Sequence, residues 1–372
     1  MRVKLSDITK YSKGTQVNGD DLIEDGEYIY LNGGINPSGR WNSYNVSSNT
    51  VTISEGGNSS GYVNYISEPF WCGAHCYYLY DGPRNSKYLY YALKSQQNRL
   101  FNIRSGACMP NIKKSDLGNF ELEFDSNERK QNEVVSVLAK VESVIECRQK
   151  ELLSLDELIK ARFVEMFGDP KINDKGFTKA HMGEYMTLLT DFSSNGSYKA
   201  LDSGVTMYDE SNYAWMVRTT DLESGDMSSI KYIDENAYEL LSKSKIYGGE
   251  IIMNKIGSAG KVYLMPEIDM PASLGRNAFM FRYDDRINVR FLFEQLISEY
   301  GQAEIQQYVR GAVTKTITKD DVRSVKIIVP EKSLQDEYVE FVAQVDKSKV
   351  AARKALYETQ TLFDSLMQQY FG

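Results

Sequence analysis

The chain has little of several residue types on which common protein classes depend. Its 372 residues include only two histidines, His75 and His181, so a catalytic triad or a multi-histidine metal centre would have to use one of them. Four cysteines are too few for a disulfide framework, and no pair has the Cys-x-x-Cys spacing of a structural zinc site. We therefore expect reduced thiols, no metal, no cofactor and no catalytic residue.

Long apolar runs are also missing from the sequence. No run of about eighteen apolar residues occurs, and the first residues lack the apolar stretch of a secretory signal, which predicts a cytoplasmic protein without a membrane partner. The formal net charge of -8 argues against a protein that coats nucleic acid, because nonspecific affinity requires Lys and Arg to neutralise phosphates. Local basic patches are still compatible with this charge.

What the sequence does contain is one internal repeat. Residues 133–141 resemble residues 337–345 at an offset of 204 positions. Other segments match in the same order: Gln131 with Gln335, Phe167-Gly168 with Phe371-Gly372, Gly106-Ala107 with Gly311-Ala312, Ala74-His75 with Arg276-Asn277, and the Gly-rich turn 55–61 with 255–260. Because the matches are colinear, they indicate a duplication.

Each copy begins with an aromatic, turn-rich stretch that predicts a mixed, mainly β domain. A single helix is expected in each domain, near residues 88–97 and 289–300. The predicted strands are Tyr28–Leu31, Thr50–Ile53 and Tyr77–Tyr80 in the first copy, and Glu250–Met253, Val262–Leu264 and Phe279–Phe281 in the second.

Each copy ends with a long helix whose apolar residues step by four and three. The seam residues are Val134, Leu138, Val141, Ile145, Leu152, Leu155, Ile159 and Met166 in the first helix, and Tyr338, Val342, Val345, Ala352, Leu356, Phe363, Leu366 and Tyr370 in the second. About forty helical residues span roughly 60 Å, more than one domain needs. The connectivity favours antiparallel pairing of the two helices.

The predicted fold class is α+β, with two mixed, mainly β domains separated by an antiparallel coiled coil of two long helices in a pseudo-twofold repeat. The expected division is a first domain at 1–125, a first spacer helix at 126–168, a linker and second domain at 169–330, and a second spacer helix at 331–372.

Two modules joined by a rod suit a target with two sites, such as duplex DNA, on which sites one turn apart lie roughly 34 Å apart on one face. The loops carry side chains that can bond base edges or phosphates, beside glycines that allow close approach. The candidate DNA-binding residues are Asn36, Ser38, Arg40, Asn42, Asn58, His75, Arg104, Arg218, Lys255, Ser258, Lys261, Arg276, Asn277, Arg310 and Lys315.

Other interpretations compete with DNA binding. A coiled-coil scaffold could bridge two protein partners without reading DNA. Cys72, His75 and Cys76 could hold a metal, but the second copy has Leu274, Asn277 and Ala278 there, which favours a core role. An adenine methyltransferase is disfavoured because no Asn-Pro-Pro-Tyr or Asp-Pro-Pro-Tyr stretch occurs.

The chain resembles the specificity subunit of type I restriction-modification systems in three features. These are its division into two halves, the segment Met166-Phe167-Gly168-Asp169-Pro170 after the first helix, and the segment Tyr370-Phe371-Gly372 after the second. Val3–Ile8, Gly61–Tyr65 and Phe70-Trp71 are similar to the opening of its first target-recognition domain. The resemblance covers nearly the entire chain.

The resemblance implies a non-catalytic subunit in which each target-recognition domain reads half of a bipartite double-stranded DNA sequence through the major groove. It implies that residues 138–158 and 342–362 set the spacer and dock DNA adenine methyltransferase subunits, two in number, while restriction/translocase subunits join for cleavage. Because Ala74-His75 stands opposite Arg276-Asn277, we expect an asymmetric target. The first copy has Glu55 where the second has Lys255. An acidic residue repels phosphate, so we expect a phosphate contact at this turn less in the first copy than in the second.

Overall fold

The protein, described by a computed structural model at residues 1–106 and 108–372, divides into two units. Ala107 of the first Gly-Ala match lies outside the described residues. Unit 1 consists of residues 1–151 and 352–372, and unit 2 consists of residues 152–351. The predicted division at residues 125, 168 and 330 stays a prediction.

Aromatic and β-branched residues form most strands of unit 1, because their side chains fit a pleated, half-buried surface. The strands are β1 (Arg2–Lys4), β2 (Lys10–Lys13), β3 (Tyr28–Leu31), β4 (Gly39–Trp41), β5 (Thr50–Ser54), β6 (Val63–Ile66), β7 (Trp71–Cys72), β8 (Cys76–Tyr80) and β9 (Glu121–Glu123). They form a β1-β9 pair, an antiparallel sheet in the order β2-β8-β5-β6 and a sheet in the order β4-β3-β7, in which β3 and β7 are parallel. The three strands predicted in this copy are therefore present.

Unit 2 repeats this topology. Its strands are β10 (Thr178–His181), β11 (Met186–Asp191), β12 (Ala214–Val217), β13 (Lys231–Ile233), β14 (Lys245–Ile246), β15 (Ile251–Asn254), β16 (Val262–Leu264), β17 (Ala272–Leu274), β18 (Ala278–Tyr283) and β19 (Lys326–Val329). The sheets are β10-β19, β11-β18-β15-β16 and β13-β12-β17-β14, so β14 is an addition to the plan of unit 1. The three strands predicted in the second copy are present as well.

Short helices lie between the strands. In chain order they are α1 (Leu5–Ile8), α2 (Ser86–Ser95), α3 (Gln97–Asn102) and α4 (Lys114–Gly118); the long α5 (Glu128–Phe167); α6 (Tyr198–Gly204), α7 (Thr219–Ser224), α8 (Glu235–Leu240), α9 (Val289–Ile297), α10 (Glu299–Gln306) and α11 (Lys319–Arg323); and the long α12 (Lys332–Phe371). Short 3-10 turns cover Gly19–Asp21, Met182–Tyr185, Phe192–Asn195, Met227–Ser229 and Ser242–Ser244.

The prediction of a single helix in each domain was wrong. Two consecutive helices occupy each predicted position, α2 with α3 and α9 with α10, and α6, α7 and α8 have no counterpart in the prediction. The chain breaks at Ser298, whose extended backbone ends α9 and whose hydroxyl accepts a 3.1 Å bond from the amide of Gly301 at the start of α10. A serine in this conformation is a strong N-cap, so a new helix begins here. The apolar periodicity continues across the break, which is why the sequence predicted one helix.

The antiparallel pairing of the two long helices is confirmed within each unit. In unit 1, Leu138 near the start of α5 shares a core with Met367 and Phe371 at the end of α12. In unit 2, Ile159 near the end of α5 shares a core with Tyr338 near the start of α12. The seam residues predicted from the 4-3 spacing are buried or half-buried throughout.

Side chains of the globular part complete both helix cores. In unit 2 the rings of Phe167 and Phe291 lie 4.8 Å apart, and Tyr338 packs against both at edge-to-face angles. Such pairs add about 0.5–1.5 kcal/mol each beyond the area that they bury. Among the helices of the described ranges, none combines the length and apolar character that crossing a bilayer requires.

Candidate nucleic-acid interface

A Gly-rich turn joins two neighbouring strands of the main sheet in each unit. The turn of unit 1 joins β5 to β6, and that of unit 2 joins β15 to β16. Gly57 and Gly257 have φ angles of 77° and 81°, which L side chains rarely adopt, so both turns depend on glycine. The backbone of each turn can thereby approach a ligand closely.

A second loop lies against each turn. A bridge between Ser105 and Asn111 closes the loop of unit 1, and a bridge between Arg310 and Thr316 closes that of unit 2. The amides of the next residues, Ile112 and Ile317, donate 2.9 Å and 3.1 Å bonds to the carbonyls that open the Gly-rich turns. The turn and the loop therefore form one continuous surface.

A short chain reversal completes the surface. The carbonyl of His75 accepts a 2.8 Å bond from the amide of Glu55, and the carbonyl of Asn277 accepts a 2.8 Å bond from that of Lys255. We call these three segments the loop cluster of each unit: residues 55–61, 73–75, 105–106 and 108–111 in unit 1, and residues 255–261, 275–277 and 310–316 in unit 2.

The loop clusters bring together ten of the fifteen candidate DNA-binding residues, counting those that flank the segments. They are Asn58, His75 and Arg104 in unit 1, and Lys255, Ser258, Lys261, Arg276, Asn277, Arg310 and Lys315 in unit 2. Asn36, Ser38, Arg40 and Asn42 lie on the β3-β4 hairpin, and Arg218 lies immediately before α7.

The hairpin loop of unit 1 nevertheless touches the loop cluster. The hydroxyl of Ser59 donates a 2.6 Å bond to the carbonyl of Gly33, and a Cβ on Gly33 would lie 2.2 Å from the carbonyl oxygen of His75. Only glycine permits this approach. Asn36 and Ser38 are exposed beyond it, where a ligand on the loop cluster could reach them.

Most candidate cations already have an acidic partner or a carbonyl acceptor. Arg218 binds Asp221 at 2.5 Å, Arg310 binds Asp321 at 2.7 Å, and Arg276 pairs with Asp202. Lys261 pairs with Glu223, while Arg40 and Arg104 donate to backbone carbonyls. These contacts orient the side chains, although several of the ion pairs are exposed to solvent and therefore weak.

The side chain of Lys315 is different, because it makes no hydrogen bond or ion pair within the described part of the chain. It lines a cavity of about 630 Å³ together with Ser258, Lys261, Gln302 and Gln306. Ammonium, hydroxyl and amide groups around one cavity are suited to phosphate oxygens and to base edges.

The alternative metal site at Cys72, His75 and Cys76 does not have converging ligands. Both thiols are buried and directed to backbone carbonyls, and a hydrogen bond with Cys76 together with burial raises the pKa of the Cys72 thiol. The ring of His75 is exposed and lies 3.4 Å from a carboxylate oxygen of Glu55. Within the described ranges, no cluster of three such side chains could hold a metal ion.

Sequence reasoning missed Asp191, which lies at the end of β11 beside the unit 2 loop cluster. Its carboxylate accepts from Lys255 at 2.7 Å, from Lys319 at 2.9 Å and from the hydroxyls of Ser193 and Ser194. Burial disfavours its charged form, but the hydrogen bonds from Lys255, Ser194, Ser193 and Lys319 outweigh this effect and hold the pKa of Asp191 well below its usual range.

Comparison with known proteins assigns the chain to a family. The family model described as the type I restriction modification DNA specificity domain matches residues 1–157 and 175–359. The match thus includes most of both repeats, with most of the long helix of each. The chain belongs to the type I restriction-modification DNA specificity family.

Individual relatives agree with this assignment. A putative type I specificity subunit of Mycoplasma genitalium is 36% identical over 149 residues, which cover 39% of this chain and 38% of the relative. One from Mycoplasma pneumoniae is 34% identical, covering 41% and 40%. The specificity subunit of the type I restriction enzyme MjaVIII of Methanocaldococcus jannaschii is 22% identical, covering 72% and 65%. Each match thus spans less than two thirds of the relative.

Solved structures share the fold over almost the entire length. The crystal structure of a type I restriction-modification S subunit from M. genitalium has a TM-score of 0.63 at 19% identity and covers 100% of this chain and 96% of that one. A structure from work on complex assembly and conformational transition of the type I restriction-modification system has a TM-score of 0.55 at 15% identity, covering 99% and 96%.

Proposed function

We propose that this protein is the sequence-specific DNA recognition subunit of a type I restriction-modification complex and that each unit reads one half of a bipartite target. The observation that carries the proposal is the repeated loop cluster. The same three backbone segments meet in both units, but the side chains on them differ. Equivalent backbones with different hydrogen-bonding groups suit one task performed on two different base sequences, so the target is asymmetric.

The chemistry of the loop clusters supports base reading together with phosphate contact. Asn58, Asn277 and Ser258 are exposed groups that can bond base edges, and Arg276 can bond guanine through two donors. In this proposal Lys315 and Lys261, which line one cavity, would contact phosphates. The overall charge of -8 then requires partner subunits to supply much of the remaining phosphate neutralisation.

The long helices would set the spacing between the half-sites. α5 and α12 each have 40 residues and each contributes to both units without interruption. A continuous helix has a fixed rise of about 1.5 Å per residue, so the number of its residues defines a length in a way that a flexible linker does not.

The outer faces of these helices would dock DNA adenine methyltransferase subunits. Leu153 and Tyr357 are 66% and 74% exposed, and Leu158 and Leu362 are exposed as well. The members of each pair are 204 positions apart and therefore equivalent in the repeat. Exposed apolar residues at equivalent positions favour two copies of one protein partner. In this proposal the chain is itself non-catalytic, restriction/translocase subunits join for cleavage, and the complex acts in the cytoplasm.

Selection of duplexes from a random library, with the full chain and the proposed methyltransferase subunit, tests the proposal. We expect enrichment of one split, asymmetric sequence, and loss of binding when the separation of its halves changes by one base pair. Mapping of modified adenines in the host genome should show the same motif, and the motif should vanish when this chain is deleted. Binding that ignores both sequence and separation would favour the scaffold interpretation instead.

A further inference from the structure

One buried carboxylate connects the segments of the unit 2 loop cluster. Asp191 lies at the end of β11, and Lys255 opens the Gly-rich turn. Lys319 is the first residue of α11, three positions after the loop that ends at residue 316. The side chains of Asp191 and Lys255 are 6% and 14% exposed. One carboxylate therefore joins the turn to the start of α11 by charged hydrogen bonds, and the bond to Lys255 is largely shielded from solvent, where such bonds are strongest.

The same segment also supports the candidate base reader. Asp191 caps the 3-10 turn Phe192–Asn195, and the guanidinium of Arg276 lies 5.1 Å from the centre of the Phe192 ring. A shift of this turn would move the surface on which Arg276 rests. Asp191 thus bonds the Gly-rich turn directly, through Lys255, and is linked to the other two segments only through Lys319 and Phe192. Its own carboxylate is too buried to contact DNA.

Unit 1 has the same ion pair with the charges exchanged. Lys13 at the end of β2 lies 2.8 Å from Glu55, which opens the Gly-rich turn. Strand pairing makes the positions equivalent: Lys13 is opposite Tyr77 in β8, and Asp191 is opposite Phe279 in β18. The acid and the base have changed places between strand and turn.

The ammonium group nevertheless lies at nearly the same distance from the equivalent aromatic ring in both units. In unit 1 the Nζ of Lys13 lies 5.6 Å from the centre of the Tyr77 ring, and in unit 2 the Nζ of Lys255 lies 5.7 Å from that of Phe279. A second basic side chain faces the carboxylate in each unit, His75 beside Glu55 and Lys319 beside Asp191. Both units thus have an acid–base pair that joins the end of this strand to the Gly-rich turn, which indicates the same structural role in each.

We propose that Asp191 is a positioning residue that fixes the loop cluster of unit 2 for DNA reading, and that the Lys13–Glu55 pair does the same in unit 1 with reversed charges. This inference rests on the proposed function, because the segments that it positions are those proposed to read the half-sites. Each pair acts on its own unit, so loss of one pair alters the reading of one half-site.

The test compares variants of the full chain, each assayed together with the proposed methyltransferase subunit. Lys255→Glu places a second carboxylate against Asp191, and we expect discrimination at one half-site to fall by about tenfold or more, the range of strongly coupled contacts. The exchanged variant combines Asp191→Lys and Lys255→Glu with Lys319→Met, because Lys319 would otherwise face the new ammonium group. It has the charge order of the unit 1 pair and should restore discrimination to within about threefold. Lys13→Met should affect the other half-site only.

Asp191→Asn removes the charge and keeps the shape, so it serves as the milder variant if Lys255→Glu does not fold. Asp209→Asn is the matched control, because Asp209 forms an exposed ion pair with Lys231 in the same unit. Hydrogen exchange supplies a measurement independent of DNA. The amide of Ile317 donates to the carbonyl of Lys255, and that of Gly260 donates to the carbonyl of Asn254. Both should exchange faster in Asp191→Asn and not in the control.

The outcomes separate the two proposals. If the wild-type chain selects no DNA sequence, the proposed function fails, while hydrogen exchange still reports on positioning. If the wild type selects a split sequence, and Asp191→Asn keeps both its half-site discrimination and its amide protection, the positioning role is overturned. An exchanged variant no better than Lys255→Glu alone would overturn the equivalence of the two pairs.

Discussion

The side-chain amide of Asn288 donates a 2.7 Å hydrogen bond to the carboxylate of Asp336. Asn85 makes the same 2.7 Å contact with Asn132 in the other unit. Each of these amides belongs to the residue that caps a helix of the globular part, and each acceptor lies in the first turns of a long helix. Equivalent side-chain hydrogen bonds therefore attach the long helix to the sheet-rich part in both units.

Gln335 completes this attachment in unit 2 and is fully buried. Its amide oxygen accepts from the backbone of Asn288 at 2.8 Å, and its nitrogen donates to the carbonyl of Pro330 at 2.8 Å. Gln335→Ala would leave these groups unpaired, so we expect the free energy of unfolding to fall by about 2–4 kcal/mol in denaturant titrations. Exposed Gln360→Ala on the same helix should change it by less than about 0.5 kcal/mol, and equal effects would contradict this account.

Arg276→Ala should relax sequence specificity at one half-site, at a cost of about 1–3 kcal/mol if the guanidinium reads a base through two donors. The measurement is the affinity for duplexes substituted separately in each half. Asp202→Asn frees the guanidinium from its ion pair without removing it and should leave the preferred base unchanged. An equal loss at both halves would show that Arg276 contacts the backbone or stabilises the fold.

Lengthening both long helices by one heptad, next to residues 151 and 351 where the units meet along the sequence, should increase the preferred separation of the half-sites. Seven residues add roughly 10 Å of helix, which corresponds to about three base pairs at 3.4 Å each. A heptad keeps the seam in register, whereas insertion of five residues does not and should destabilise the protein. Selection of an unchanged separation by the heptad variant would exclude the helices as the spacer.

Tyr357→Asp and Leu153→Asp should weaken binding of the methyltransferase subunit while leaving the melting temperature within a few degrees of wild type, because both side chains are exposed on long helices. Titration by calorimetry checks the affinity. Each single variant should lose one of two binding sites, and the double variant should lose both. Exposed Glu358→Asp, which neighbours Tyr357 and keeps its charge, should bind normally.

The low pKa of Asp191 gives unit 2 a defined response to acid. Because this pKa is lower in the folded than in the unfolded chain, the carboxylate contributes stability above its unfolded value of about 3.9, and this contribution is lost as the pH falls through the folded value. The melting temperature of Asp191→Asn should lie below that of wild type at neutral pH, and the difference should shrink below about pH 5. A difference that is constant over this range would assign the effect to packing.

The periodic parts of the fold follow from the sequence, and the side-chain network does not. The 4-3 spacing that begins at Val134 puts apolar residues along one face of the helix, and a second helix packs on that face. The seam residues could therefore be predicted one by one. Phe163 lies off that seam and is still buried, because Phe291 from the globular part stacks on it at 5.9 Å. Contacts from a distant segment leave no periodic signal.

The central ion pairs were missed for a similar reason. A single offset aligns the long helices, but 64 positions separate Asp191 from Lys255 while 42 separate Lys13 from Glu55. The inserted helices α6, α7 and α8 change the spacing, so a search at constant offset compares the wrong residues. The sequence did reveal the opposite charges of Glu55 and Lys255, and their partners become visible only when strand pairing brings them together.

The reversed ion pairs also restrict how such proteins can diversify. A recombination event that moved only the Gly-rich turn from the first repeat into the second would bring Glu55 to face Asp191, while Lys13 would be left without its acid. Exchange of a whole repeat carries acid and base together and produces no such repulsion. Viable chimaeras should therefore have crossover points outside the sheets, within the long helices that both repeats share.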